Sequence, residues 1–116
     1  MAGPVRIQLS RRKGFRLQEA SLALNGLPAV SVTRGKGRIH GNNFRVEDFD
    51  TVEDCVSMFE HDLNKFATFH PDKFAAYIRP LVGKNLACFC RLDAACHADV
   101  LISEARQFAL YCQQVA

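Results

Sequence analysis

No stretch of this 116-residue sequence approaches the roughly 20 consecutive apolar residues that a bilayer-crossing helix needs, which excludes a membrane-spanning helix. The opening segment, MAGPVRIQLSRRKGFR, is basic but lacks the apolar core of a secretory signal. A strand-like stretch inside it also argues against a transit peptide. There is no internal repeat and no low-complexity tract. Acid is nearly missing from the first 45 residues, which hold nine Lys or Arg against the single acid Glu19, a net +8. The remaining residues hold six Lys or Arg against eleven acids, a net −5. So lopsided a distribution leaves two readings: the basic part faces an anion, such as nucleic acid, a nucleotide phosphate or an acidic partner, or the two parts neutralise each other on folding.

Hydrophobic residues make up 48 % of the chain, enough for one core, and the length fits a single domain spanning 1–116. Five cysteines without an export signal fit a reducing, cytoplasmic setting, where thiols serve as metal ligands, nucleophiles or small core residues. Cys55 and Cys112 fall on helical apolar stripes and read as core.

Along the chain, Val5 to Leu9 alternates apolar and polar as a half-buried strand does. Leu22 to Leu24 and Ala29 to Thr33 flank Asn25-Gly26, a hairpin signal because both residues tolerate positive φ, although Pro28 removes a ladder donor. Arg34 to Asn43 is too rich in glycine and cations for helix or central strand and reads as an exposed basic loop. Thr51 opens a helix whose stripe is Val52, Cys55, Val56, Phe59, Leu63 and Phe66. Pro71 starts a second helix, with His70 as its cap and Phe74, Tyr77 and Ile78 inward. Asn85 to Cys90 is a buried strand, and a last helix runs from about His97 to Gln114. The order predicts an α/β sandwich with a short mixed sheet and about three helices, with α+β as the alternative.

Cys88, Cys90, Cys96 and His97 put three thiols and an imidazole within ten residues. On a strand, Cys88 and Cys90 share a face, with α-carbons about 6.6 Å apart. The polar turn Arg91 to Ala95 then returns Cys96 and His97 to the strand's end. Three chemistries use such a set. Zinc takes thiolates and imidazole, with His40, another group or water available to complete a three-ligand site. A reactive Cys96 draws on the positive helix end, His97 and Arg91 to form thiolate. A phosphate sits on the helix N-terminus under the basic loop. The plain structural alternative is that the thiols are small buried hydrophobes. Elsewhere, Arg11, Arg12, Lys13 and Arg16 surround Phe15, and Gly41-Asn42-Asn43-Phe44 is a turn whose amides can recognise a base edge or ribose.

Three blocks, RIQLSRRKGFR at 6–16, VTRGKGRIHGNNF at 32–44 and LVGKNLACFCRLDAACHADVL at 81–101, resemble a bacterial and phage family catalogued as domain of unknown function 4326. The third block is the most specific, since the family pattern resembles L-x-G-K-x-L-A-C-W-C, a short turn, then P-C-H-A-D-V-L. This chain has no tryptophan: the family's Lys-Gly-Trp, Trp-Gly-Asn-Pro-Phe and Cys-Trp-Cys stand here as Lys13-Gly14-Phe15, His40-Gly41-Asn42-Asn43-Phe44 and Cys88-Phe89-Cys90. The family's Pro-Cys-His is Ala95-Cys96-His97, and Asp99 remains. The resemblance implies a shared site without supplying its reaction.

These observations give an expected function: an enzyme or binding protein for a nucleotide or related phosphorylated ligand. Cys96 and His97 are the expected catalytic pair; Arg16, Arg38, Asn42, Asn43, Arg91 and Asp99 the expected ligand contacts; Cys88, Cys90, Cys96 and His97 the expected zinc ligands. The rival is a non-enzymatic nucleic-acid- or protein-binding module with a structural zinc site.

Overall fold

A computed structural model describes residues 3–34 and 38–115. Its core is a sheet of three strands, β1 (Arg6–Gln8), β2 (Ala29–Ser31) and β3 (Asn85–Cys88), in the order β1-β3-β2. Both pairings are parallel: Ile7 lies opposite Ala87, and Val30 opposite Leu86. The α/β class holds, while the sheet is parallel throughout rather than mixed. The reason lies in β3, an uninterrupted buried run of the kind that occupies the centre of a parallel sheet.

The second departure is the hairpin. Residues Leu17–Asn25 form helix α1, so the described residues hold four helices where about three are expected. Gly26 sits at φ 78°, and its N–H closes the helix on the Leu22 carbonyl. Asn-Gly therefore marks a left-handed helix cap here; the same positive φ serves either use. Ser21 is the one fully buried residue of α1, and Leu22 and Leu24 face outward. The Gln18 side chain reaches from α1 to the outer edge of β2, where Nε2 donates to the Ala29 carbonyl at 2.8 Å and Oε1 accepts from the Ala29 N–H at 2.9 Å.

Three helices cover the other face: α2 (Val52–Phe69), α3 (Pro71–Ile78) and α4 (His97–Val115). Thr51 caps α2, its hydroxyl accepting from the Asp54 N–H at 3.1 Å, so Asp54 serves through its backbone. Pro71 opens α3 at a position whose N–H has no helical partner. His70 makes no side-chain cap bond; its carbonyl accepts from the Phe74 N–H instead.

The two faces have separate apolar clusters. Val32, Leu86 and Cys88 pack with Phe59, Leu63, Phe74, Ile78 and Leu101, whereas Ile7, Ala29 and Ala87 pack with Leu17 on the α1 side. Such a doubly covered sheet follows from two crossovers that run in opposite directions, out from β1 to β2 and back to β3. The carboxyl ends of all three strands then open on one side. No helix among the described residues is long and apolar enough to cross a membrane.

The amino ends are locked by polar groups. Asn85 is fully buried; its Oδ1 accepts from the Val5 N–H and from Asn25 Nδ2, both at 3.0 Å. Its Nδ2 donates to Ser21 Oγ at 2.7 Å and to Asn25 Oδ1 at 2.8 Å. Buried amides are tolerated where their donors and acceptors are satisfied, and this network ties β1, α1 and β3 together.

Candidate functional site

The loops leaving the carboxyl ends of the strands enclose a cavity of about 630 Å³. Cys88 stands at the last position of β3, Cys90 two residues beyond it, and Cys96 and His97 at the start of α4. The side-chain atoms of Cys88, Cys96 and His97 that could bind a metal all lie within 4.8 Å of one another. Cys90 Sγ lies 3.7 Å from Cys88 Sγ. Neighbouring residues 96 and 97 converge because Cys96 still lies outside the helix. It is not bound to the step of about 100° that separates consecutive helical side chains.

The hydrogen bonds of His97 define its tautomer. Nε2 is 2.7 Å from the Val32 carbonyl, which can only accept, so Nε2 carries a proton and donates it. In the neutral ring Nδ1 then presents a lone pair, 3.7 Å from Cys96 Sγ. A backbone carbonyl holding the far nitrogen is the usual outer partner of a metal-bound histidine. The Phe59 ring packs edge-on against the imidazole, with centroids 5.2 Å apart.

Two of the separations suit a tetrahedral ion. Zinc bonds of about 2.3 Å to sulfur and about 2.0–2.1 Å to nitrogen imply ligand edges of about 3.8 Å for S–S and about 3.6 Å for S–N. The two separations of 3.7 Å match both. Cys88, Cys96 and His97, with Cys90 beside them, are thus a set that could hold a metal such as zinc.

Charge at the cluster is uneven. The hydrogen bond from Cys88 is the main influence holding the Cys96 thiol far below its ordinary value; burial opposes it, and the Ala98 N–H and Arg6 reinforce it. Cys88 is pushed up, first by that same bond and then by burial, and burial raises Cys90. The arrangement favours ionisation of Cys96 over that of Cys88. Cys96 is only 2 % exposed, so an outside reagent reaches Cys90 more easily.

Arg6, on β1, is a residue that sequence reasoning passed over. Its Nη2 donates to the carbonyls of Arg91, Leu92 and Ala94 at 3.2, 2.7 and 2.9 Å, so the turn between Cys90 and Cys96 wraps around a guanidinium. Its Nε lies 3.6 Å from the Asp99 carboxylate, and its Nη1 is buried without a hydrogen-bond partner. Burial works against its charge, but the bond to Cys96 and the Asp99 carboxylate outweigh burial and raise its pKa.

The rest of the cavity lining sets three cations, Arg11, Arg34 and Arg38, against one carboxylate, Glu47, beside Phe44, Val52 and Phe89. Among the described residues none of these three guanidinium groups has an ion-pair partner. Arg11 stacks 4.0 Å over the Phe89 ring, and Arg38 Nη1 donates to Ser31 Oγ at 3.2 Å and Thr33 Oγ1 at 2.9 Å. Arg11 and Arg34 read in the sequence as members of basic loops and not as ligand contacts, although their place after strand ends points to that role.

The other expected contacts divide. Asn42 lines the cavity, but its Nδ2 donates to the Cys55 carbonyl at 3.2 Å and its Oδ1 accepts from the Phe44 N–H at 2.9 Å. Asn43 is exposed and lines a separate cavity of about 540 Å³. Arg16 precedes α1, away from the cavity lining, and Arg91 is exposed and paired with Asp93 at 3.0 Å. Asp99 meets the site through Arg6. His40 points elsewhere, with Nε2 2.7 Å from the Tyr77 carbonyl. Of the basic loop, residues 35–37 lie outside the described residues.

Gly41 shapes this loop by having no side chain. A Cβ there would overlap the Arg34 backbone, lying 2.7 Å from its nitrogen and closer still to its Cα. Backbone cannot rotate away as a side chain tip does. Gly41→Ala is expected to cost about 1–3 kcal/mol through overpacking, read as a lower urea midpoint. An unchanged midpoint would mean that the loop yields freely.

A family model described as domain of unknown function (DUF4326) matches residues 7–107. No curated protein and no solved structure matches the chain.

Proposed function

The chain belongs to the DUF4326 family, and on that footing we propose that it binds a nucleotide or related phosphorylated ligand in the strand-end cavity, beside a Cys/His centre that holds zinc. One observation carries the reading: three guanidinium groups, none with an ion-pair partner among the described residues, line the same cavity as Cys88, Cys96 and His97. The three cations outnumber the one carboxylate of the lining, Glu47, and an excess of cleft-bound cations calls for an anion from outside. The volume falls within the range of about 300–1,000 Å³ common for small-ligand sites. Parallel sheets receive ligands beyond their carboxyl strand ends, and all three strands end here. Arg11, Arg34 and Arg38 would meet phosphate, and Phe44, Phe89 and Val52 a ring or sugar face.

Zinc at Cys88, Cys90, Cys96 and His97 would act as a clasp, joining the end of β3, the turn after it and the start of α4. The lone pair on His97 Nδ1 and the two separations of 3.7 Å support that ligand set. The five free cysteines fit a reducing compartment such as the cytoplasm.

Calorimetry with a panel of mononucleotides, sugar phosphates and inorganic phosphate tests the binding reading. Micromolar binding of a phosphorylated compound is expected. Arg34→Ala and Arg38→Ala should each weaken it about 10–100-fold, the loss of one charge-assisted hydrogen bond. Absence of binding across the panel would refute the small-ligand reading. If oligonucleotides bind instead, with steep salt dependence, the same cations form a nucleic-acid interface.

A further inference from the structure

We propose that Arg6 is the built-in counter-ion of a three-thiolate, one-imidazole metal centre, a positioning residue that fixes the number of thiolates as well as the turn that carries them. The inference rests on the metal reading above and adds to it the charge and composition of the centre.

The argument begins with a cost. The Arg6 side chain is only 7 % exposed, and guanidinium does not lose its proton in a protein. A buried cation therefore needs a nearby negative charge. Asp99 supplies little, because its carboxylate is 3.6 Å away and 57 % exposed, where water screens it. The three carbonyls of the 91–94 turn satisfy Nη2 as dipoles and leave the positive charge standing. Nη1 is buried and has no hydrogen-bond partner among the described residues. That orphan donor, on the strand beside β3 and on the side chain that holds the turn between Cys90 and Cys96, is the mark of a missing anion.

The charge count then selects the ligand set. A divalent ion with two thiolates, an imidazole and water is neutral and would leave Arg6 uncompensated. With three thiolates and an imidazole the centre carries one negative charge, which Arg6 balances. Cys90, 3.7 Å from Cys88, is the third thiolate. Four protein ligands leave no open position, so the centre is closed and the cavity's chemistry belongs to its arginines.

Cobalt(II) titration of the metal-free full-length chain, followed by its visible absorption, tests this. The wild type should give the spectrum of a tetrahedral ion with thiolate charge-transfer bands; if it does not, the metal reading fails and the proposal with it. Given that spectrum, Arg6→Met should weaken cobalt and zinc binding about 10–100-fold, the usual effect of losing an outer partner. Arg6→Lys keeps the charge and should recover most of that loss. Asp99→Asn should weaken binding by no more than about twofold on the same scale, since it removes only a competitor for Arg6. Cys90→Ser should lower the charge-transfer intensity by about one third. Wild-type affinity in folded Arg6→Met overturns the proposal. So does an Arg6→Lys variant as weak as Arg6→Met, which would reduce Arg6 to a scaffold for the turn. Should Arg6→Met fail to fold, the Lys and Asn variants decide between the same outcomes.

Discussion

Isolated without chelator, the protein should carry one zinc ion per chain, and removing that ion should lower its melting temperature by on the order of 10 °C or more. The size of the effect follows from what the ligands connect. Cys88 ends the central strand, Cys96 and His97 begin the longest helix, and no disulfide joins them among the described cysteines. Without a metal, the five residues of the turn between Cys90 and Cys96 are fixed chiefly by Arg6. Metal-binding free energy that is absent from the unfolded chain appears directly as stability. Cys96→Ala should be the most damaging substitution at the site, since it removes a ligand and strands both Arg6 and the lone pair of His97. Acid should release the metal, because protons compete for the thiolates. Metal analysis and melting before and after chelation check the result. A metal-free protein that melts at the same temperature with or without chelator would contradict it.

The second large effect lies at the other end of the sheet. Asn85→Ala should destabilise the protein by about 3–4 kcal/mol, because the Val5 N–H, the Asn25 amide and the Ser21 hydroxyl all lose a partner inside the core. A small cavity adds to the cost. The loss should appear as a lower urea midpoint with an unchanged slope. Zinc content should not change, since the network ties the amino ends of the strands and the metal set lies beyond their carboxyl ends. A shift under about 1 kcal/mol would show that water replaces the amide without penalty.

How much of this was legible in the residues themselves depended on whether the deciding contact was local. The Cys/His cluster was legible because a period of two on a strand and a short turn to a helix are local geometry. So were the stripe of α2 and the buried run of β3. Helix α1 was misread because its deciding residue, Gly26, carries the same positive φ in a hairpin and in a helix cap, and Leu22-Ala23-Leu24 reads as apolar in either. Leu22 and Leu24 in fact face solvent, a pattern that no periodicity rewards. Arg6 was illegible for another reason. Its work is done against residues more than eighty positions away, and only the parallel pairing of Arg6 with Leu86 brings the guanidinium beneath the cysteine turn. The sheet direction itself was hidden in strands of three and four residues, too short to carry a pattern that separates parallel from mixed.

The side chain of Gln18 has a consequence for how this molecule meets others. By answering both backbone groups of Ala29, it behaves as a fourth strand one residue long, made of amide rather than peptide. An open strand edge is a template on which any extended chain can zip, and the usual defences are charge, proline or a bulge. Here the first position of β2 is already spoken for. Chains crowded together at synthesis therefore find the start of that flank already occupied.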